Sequence, residues 1–241
     1  MTTAVLVLAG VVAGILNVAA AGGSLVSFMA LTMLGVPPLQ ANATNLAATP
    51  ASFLGGAPTV WRGRHGVGLG LLSTVAGTVV GVWFVAGLTA ETFQRLAPAL
   101  LLIAAMLLLS QPWIQPRIKA RDGQAATRGV LPAWLFLTGV YAGSFGAGVG
   151  VLLLVVLAFT TSWPWHTVNA RKNVVCLATS VVGLAGFAMT GLVIWPLALT
   201  LAAAMAIGGL VGQWLTRRVP DDILRSAVAV LAAFGAGHMA A

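Results

Sequence analysis

The chain has 241 residues, 59% of them apolar and 7% charged, with a mean hydropathy of +1.01. A soluble domain carries about a quarter charged residues, so this composition excludes a water-soluble globular protein and places nearly the whole chain in or against hydrocarbon. The net charge of +8, from twelve Lys and Arg against four Asp and Glu, reads as loops held on the cytoplasmic side and not as a nucleic-acid surface.

Apolar stretches run over residues 4–34, 41–60, 67–88, 93–109, 130–159, 174–189, 192–215 and 223–241. The first and fifth are about thirty residues long, well above the roughly 20 that span a bilayer. Each carries a glycine cluster in its middle, GILNVAAAGG at Gly14 to Gly23 and GVYAGSFGAG at Gly139 to Gly148. Both are therefore expected to be broken elements. Ala19-Ala20-Ala21 imitates a signal-peptide cleavage site, but no positive n-region precedes it and the same pattern recurs after Gly139, so the segment is expected to stay in the mature chain. After each broken element comes a helix expected to begin with polar residues, ANATNLAATPAS from Ala41 and NARKNVVCLATS from Asn169.

These parallels are those of an internal repeat. Gly77-x3-Gly81-x-Trp83 matches Gly208-x3-Gly212-x-Trp214 at an offset of 131, and Glu91 meets Asp222 at the same offset. Upstream the offset is 127 at Asn42 and Asn169, and 125 at Gly14 and Gly139. The division expected is a first transmembrane repeat over residues 1–110, a charged cytoplasmic linker over 111–129 and a second repeat over 130–241. Lysine and arginine choose the symmetry. If each broken element turns back as a hairpin, eleven of the twelve fall on the cytoplasmic side and only Arg95 lies outside; if each crosses once, the division is six against six. The fold expected is thus all-α and polytopic, with two inverted repeats, each a re-entrant broken segment followed by three transmembrane helices. All eight tryptophans lie near predicted segment ends, as interfacial anchors do.

Interrupted helices in duplicated apolar halves are the mark of a secondary transporter, because freed backbone groups must line a site and not face lipid. Gly22, Gly23 and Ser24, with Gly146 and Gly148, let the chain leave a helix and restart it, which aims N–H groups and positive dipole ends at one place and suits an anion. Beside them stand Asn42, Thr44 and Asn45 in the first half and Asn169, Arg171, Lys172 and Asn173 in the second. Arginine grips an oxyanion with a planar fork and lysine supplies a compact charge. The competing reading is that Arg171 and Lys172 snorkel to the interface; their nearness to the glycine cluster favours a site. No acid lies inside a predicted span, which argues against a carboxylate proton relay or cation site. His65 and His166 read as loop residues and His238 as part of the tail. One cysteine, Cys176, excludes an internal disulfide and a multi-Cys metal centre. Phosphate-binding, zinc-protease and serine-hydrolase motifs are missing from the sequence, so neither enzyme activity nor a cofactor is expected.

The broken first segment, the Leu34-Gly35-Val36-Pro37-Pro38 turn, the Ala41-x-Ala43-Thr44-Asn45 start and the return of this plan after Gly139 resemble the TauE/SafE sulfite exporter family. The resemblance covers almost the whole chain. It implies a permease of the bacterial cytoplasmic membrane that moves small sulfur-containing anions such as sulfite, thiosulfate or organosulfonates. One departure is Ala20-Ala21-Gly22-Gly23-Ser24, where the family more often has Gly-x-Gly-Gly-Gly. The partners expected are a small anion and the lipid bilayer, with no nucleic acid, and the oligomeric state stays open. The alternatives are a passive anion channel, which would conduct without saturating, and a membrane-embedded enzyme or assembly subunit.

Overall fold

The computed structural model describes residues 2–19, 21–57, 68–100, 102–103, 106, 131–161, 163 and 165–218. Among these residues every regular element is a helix. The first half holds α1 (Thr2–Ala19), α2 (Gly23–Met33), α3 (Pro38–Ala48), α4 (Pro50–Gly55) and α5 (Gly68–Ala86), with a further helical run over 90–100. The second holds α6 (Leu131–Phe145), α7 (Val149–Thr160), α8 (Trp165–Ala188) and α9 (Trp195–Arg218). The linker 111–129, the stretch 223–241, Asp122, Asp221, Asp222, His65 and His238 lie outside the described residues.

The two long apolar segments are broken where the glycines predicted, between α1 and α2 and between α6 and α7. The first break reverses the chain. A Cβ on Gly23 would collide with the Ala13 carbonyl oxygen, a contact ten residues back that a straight helix, rising about 15 Å over that distance, does not make. The arms after the breaks have 11 and 12 residues, about 17 to 18 Å of helix, roughly half the bilayer core. Trp195–Leu215 in α9, at 21 residues, is long and apolar enough to span it.

Two glycine interlocks join the halves. Gly14 of α1 abuts the Met205 carbonyl of α9 while Gly208 abuts Val11, so that neither position has room for a side chain. Gly139 of α6 abuts the Thr74 carbonyl of α5 while Gly77 abuts Phe136. Small residues let two backbones touch, which is how helices associate where lipid is as apolar as leucine. The contacts correspond residue by residue: Met205 and Thr74 differ by 131 positions, and Val11 and Phe136 by 125, the offsets seen in the sequence. Each broken segment therefore packs on a helix of the other half.

The outer surface is apolar where a soluble protein's would be polar, and a set of polar side chains lies buried within the apolar core. Leu8 is 68% exposed and Trp83 78%, as befits side chains facing lipid, while Asn17, Ser27, Asn45, Ser52, Lys172 and Asn173 are buried. Of the tryptophans, Trp83, Trp134, Trp165, Trp195 and Trp214 stand near helix ends and Trp163 between α7 and α8; Trp61 and Trp113 lie outside the described residues. Three local expectations need correcting. The polar residues after each break do not open their helices: α3 starts at Pro38, with proline in the first turn where its missing N–H is harmless, and α8 starts at Trp165, which places Asn42 and Asn169 in the second turn. His166 belongs to the first turn of α8 and not to a loop. The span expected over 41–60 is interrupted at Thr49, because Pro50 restarts it as α4; α8 has Leu177 at the matching place and runs on unbroken for 24 residues.

Candidate functional site

Both breaks use the same backbone device. Gly22 caps α2 at φ 86° and Gly148 caps α7 at φ 80°, left-handed values that glycine adopts without steric penalty. Each cap carbonyl accepts the N–H three residues on, from Leu25 at 3.0 Å and from Val151 at 2.9 Å. Two helices thus begin inside the protein.

Ser24, in the first turn of α2, ties one break to the other. Its hydroxyl donates to the Gly146 carbonyl at 3.2 Å and accepts the Gly148 N–H at 3.1 Å. Its own N–H donates to Asn17 Oδ1 at 3.1 Å and its carbonyl accepts from Asn45 Nδ2 at 3.0 Å. Asn45 Oδ1 accepts from Ser27 Oγ at 2.6 Å, and Asn17 Nδ2 donates to Ser52 Oγ at 3.2 Å. Thus Ser24 and Asn45 are joined, across an apolar interior, to the second glycine cluster.

Helix ends are capped across the halves. Asn169 and Asn173 of α8 donate from Nδ2 to the Val18 carbonyl near the end of α1, at 3.4 and 3.1 Å, and Lys172 Nζ donates to the Asn17 carbonyl at 2.8 Å. Asn42 of α3 donates to the Ser144 carbonyl near the end of α6 at 3.0 Å. The last carbonyls of a helix have no partner within it, so buried ends need such donors. Asn42 and Asn169 are 127 positions apart and their acceptors 126, one arrangement made twice. The remaining candidates stand apart. Thr44 Oγ1 accepts the Ile194 N–H at 3.0 Å, ahead of α9. Arg171 lays its guanidinium over the Trp163 ring at 3.5 Å, a cation–π contact directed away from Lys172's place in the interior.

A cavity lies between the breaks, about 20 Å³ measured as the space open to the centre of a water-sized sphere, room for roughly one or two waters. Ala21 and Ser24 border it from the start of α2, and Gly146, Val149 and Gly150 from the start of α7. Its walls come in matched pairs. Ser24 and Gly150 both line it at an offset of 126, as do Thr49 with Cys176 and Phe53 with Ser180 at 127. Of the expected site residues only Ser24 and Gly146 line it; the asparagines and Lys172 form the shell behind. Lys172 is fully buried, and a Cβ on Gly150 would stand 3.8 Å from its Cδ, so the lysine stem runs just behind the wall.

Asn17, Thr49, Ser52, Cys176, Thr179 and Ser180 take part without having been singled out from sequence. A signal for most of them was present. Positions 42, 45, 49 and 52 on one segment, and 169, 172, 173, 176, 179 and 180 on the other, repeat at the three- and four-residue spacing of one helix face, a polar stripe inside apolar surroundings.

Lipid-facing apolar surface, duplicated interrupted helices and a buried polar network where the interruptions meet define a multi-pass membrane protein. Residues 6–239 match the profile of the family described as sulfite exporter TauE/SafE. The chain is similar to a probable membrane transporter protein of Haemophilus influenzae, with 22% identity covering 95% of this chain and 90% of that one. It is 27% identical to the probable membrane transporter protein YfcA of Escherichia coli K12, over 95% of this chain and 86% of the other. With the probable membrane transporter protein YdhB of Bacillus subtilis it shares 28% over 93% of each. No solved structure matches it. The chain belongs to the sulfite exporter TauE/SafE family.

Proposed function

We propose that this protein is a secondary transporter that carries a small sulfur-containing oxyanion, such as sulfite, thiosulfate or an organosulfonate, across the bacterial cytoplasmic membrane, binding it between two inverted repeats. The reversal at Gly23, the half-length arms α2 and α7 and the reciprocal glycine interlocks support the hairpin arrangement over single crossings. The observation that carries the reading is the cavity bordered by the first turns of both α2 and α7. Two helix N-termini aimed at one enclosed space supply N–H groups and positive potential together. Lys172 adds a full charge from behind the Gly150 wall, and desolvated surroundings strengthen its field. The Ser24 hydroxyl bonds the second break at Gly146 and Gly148, which closes the two breaks on each other, and passage of an anion between the repeats requires that clasp to open. Such closure favours a carrier over a channel, which holds a continuous path. The names of the relatives, probable membrane transporter proteins, accord with the class, and the family description accords with the sulfur anion.

The test is uptake of sulfite and thiosulfate by liposomes containing the purified protein, with and without a pH gradient. Saturable uptake of either anion is expected. Flux no greater than in empty liposomes for every sulfur oxyanion tried refutes the substrate class.

A further inference from the structure

Gly150 holds the place in α7 that Ser24 holds in α2. Each is the second residue of its helix and stands two positions after the left-handed cap glycine, Gly148 or Gly22. Ser24 reaches across to Gly146 and Gly148 of the second break. Gly150 lies against the first break at the corresponding point, since a Cβ on it would meet Ala21, which is 125 positions before Gly146. The frame is therefore reciprocal, but only one of its two matched positions carries a side chain.

Neither backbone nor packing accounts for the missing one. Gly22 and Gly148 need glycine for their left-handed φ, while a Cβ on Gly23 would collide with the Ala13 carbonyl oxygen and one on Gly146 with the Leu46 side chain. Gly150 has no left-handed φ. Its Cβ would stand 3.4 Å from Ala21 Cβ, 3.6 Å from Ala21 Cα and 3.8 Å from Lys172 Cδ, which are ordinary contact distances. Glycine weakens a helix relative to alanine, so the fold by itself would favour alanine here. What glycine supplies instead is room in the cavity wall, which Gly150 and Ala21 both line, and close access to the backbone. The first N–H groups of a helix have no partner within it. That of Val151 turns back to the Gly148 carbonyl, whereas the Gly150 N–H has no hydrogen bond among the described residues.

We propose that Gly150 sets the size of anion the site accepts, by leaving the space of one side chain beside Ala21, into which an oxygen-bearing group of the anion fits against the Gly150 N–H. This rests on the transport function proposed above and adds which wall of the cavity measures the anion. The matched positions then divide the work: Ser24 holds the breaks together and Gly150 receives the substrate.

Filling the space is the test. Purified full-length wild type, Gly150→Ala, Gly150→Ser and Gly68→Ala are melted with and without sulfite, thiosulfate and ethanesulfonate, and the concentration dependence of sulfite and thiosulfate uptake into liposomes is measured. Without anion, both Gly150 variants should melt no lower than wild type, because the room for a Cβ exists. Their KM for thiosulfate should rise about tenfold or more, the discrimination that one carbon gives in a pocket. The rise should be less for sulfite, the smaller anion, and the stabilising shifts on melting should fall in the same order. Gly150→Ser should be impaired at least as much as Gly150→Ala, because the position excludes by volume and not by polarity. Gly68→Ala, at a helix glycine whose Cβ would meet nothing within 4 Å, should transport as wild type does. Unchanged KM values in both Gly150 variants overturn the proposal. So does a fall in flux equal for every anion at unchanged KM, which makes Gly150 a hinge, and so do variants that melt below wild type, which makes the glycine a packing requirement. A wild type with neither flux nor a melting shift for any of these anions refutes the transport function and this inference with it; a wild type that responds while the Gly150 variants respond equally refutes the role of Gly150 alone.

Discussion

Replacing Ser24 with alanine tests whether the contact between the two breaks holds the interior closed. The substitution keeps Cβ, the N–H bond to Asn17 and the carbonyl bond from Asn45, and removes only the hydroxyl that joins Gly146 and Gly148. Two hydrogen bonds to neutral backbone groups are lost, at about 0.5 to 1.5 kcal/mol each, so the closed state weakens by about 1 to 3 kcal/mol. If opening separates the breaks, its equilibrium rises roughly five- to a hundredfold. The protein carries its own reporter, because Cys176 is its single cysteine, is buried and borders the cavity. Its modification by a small permeant maleimide, followed by mass spectrometry in detergent, should accelerate by that factor in Ser24→Ala. Ser180→Ala is the control: that hydroxyl also borders the cavity but bonds within α8 to the Leu177 carbonyl at 3.0 Å, and the rate should stay within about twofold, since no contact between the breaks is lost. Equal rates in wild type and Ser24→Ala refute the clasp.

Four further outcomes are expected. Gly77→Ala and Gly208→Ala, which drive a methyl group into Phe136 and Val11, should each lower stability by about 1 to 3 kcal/mol; thermal melts no different from wild type contradict the interlocks. Arg171→Ala, which loses a partly exposed stacking contact on Trp163, should weaken anion binding by less than about 1 kcal/mol, whereas Lys172→Ala should cost about 1.5 to 3 kcal/mol; equal losses in binding titrations refute the distinction. In a Cys176→Ser background, Gln40→Cys and Leu88→Cys should react with an impermeant thiol reagent from outside the cell and Gly123→Cys should not; outside labelling of Arg217→Cys instead restores the single-crossing topology. Glu91→Gln should leave any dependence of transport on a pH gradient intact, because that carboxylate is exposed and bonded to Arg95 at 2.6 Å; loss of coupling with binding preserved makes Glu91 part of a relay.

The breaks were legible because a long apolar segment with a central glycine cluster has few other ways to fit a bilayer. The repeat was legible for a related reason: the glycines that let helices touch must recur wherever the same contact is made twice. Sequence did not reveal which helices those glycines join, since Gly14 and Met205 meet only after the chain has folded back. It also treated Arg171 and Lys172 as one pair, although adjacent helical residues point about 100° apart. The orientation of α8 turns Lys172 inward and Arg171 toward Trp163. Asn17 and Ser52 were passed over because each is a single neutral residue in an apolar run; their roles depend on each other, through a bond spanning 35 positions.

Counterflow tests the central claim most directly. Liposomes holding the purified protein are loaded with unlabelled thiosulfate or sulfite, diluted into a trace of the radiolabelled anion with the membrane potential clamped, and sampled over time. A carrier that binds the anion between its two halves returns with label after releasing unlabelled anion, so the internal label should rise above equilibrium, pass through a maximum and decay. A monotonic approach to equilibrium, with initial flux proportional to concentration over the whole accessible range, contradicts the account and describes a channel.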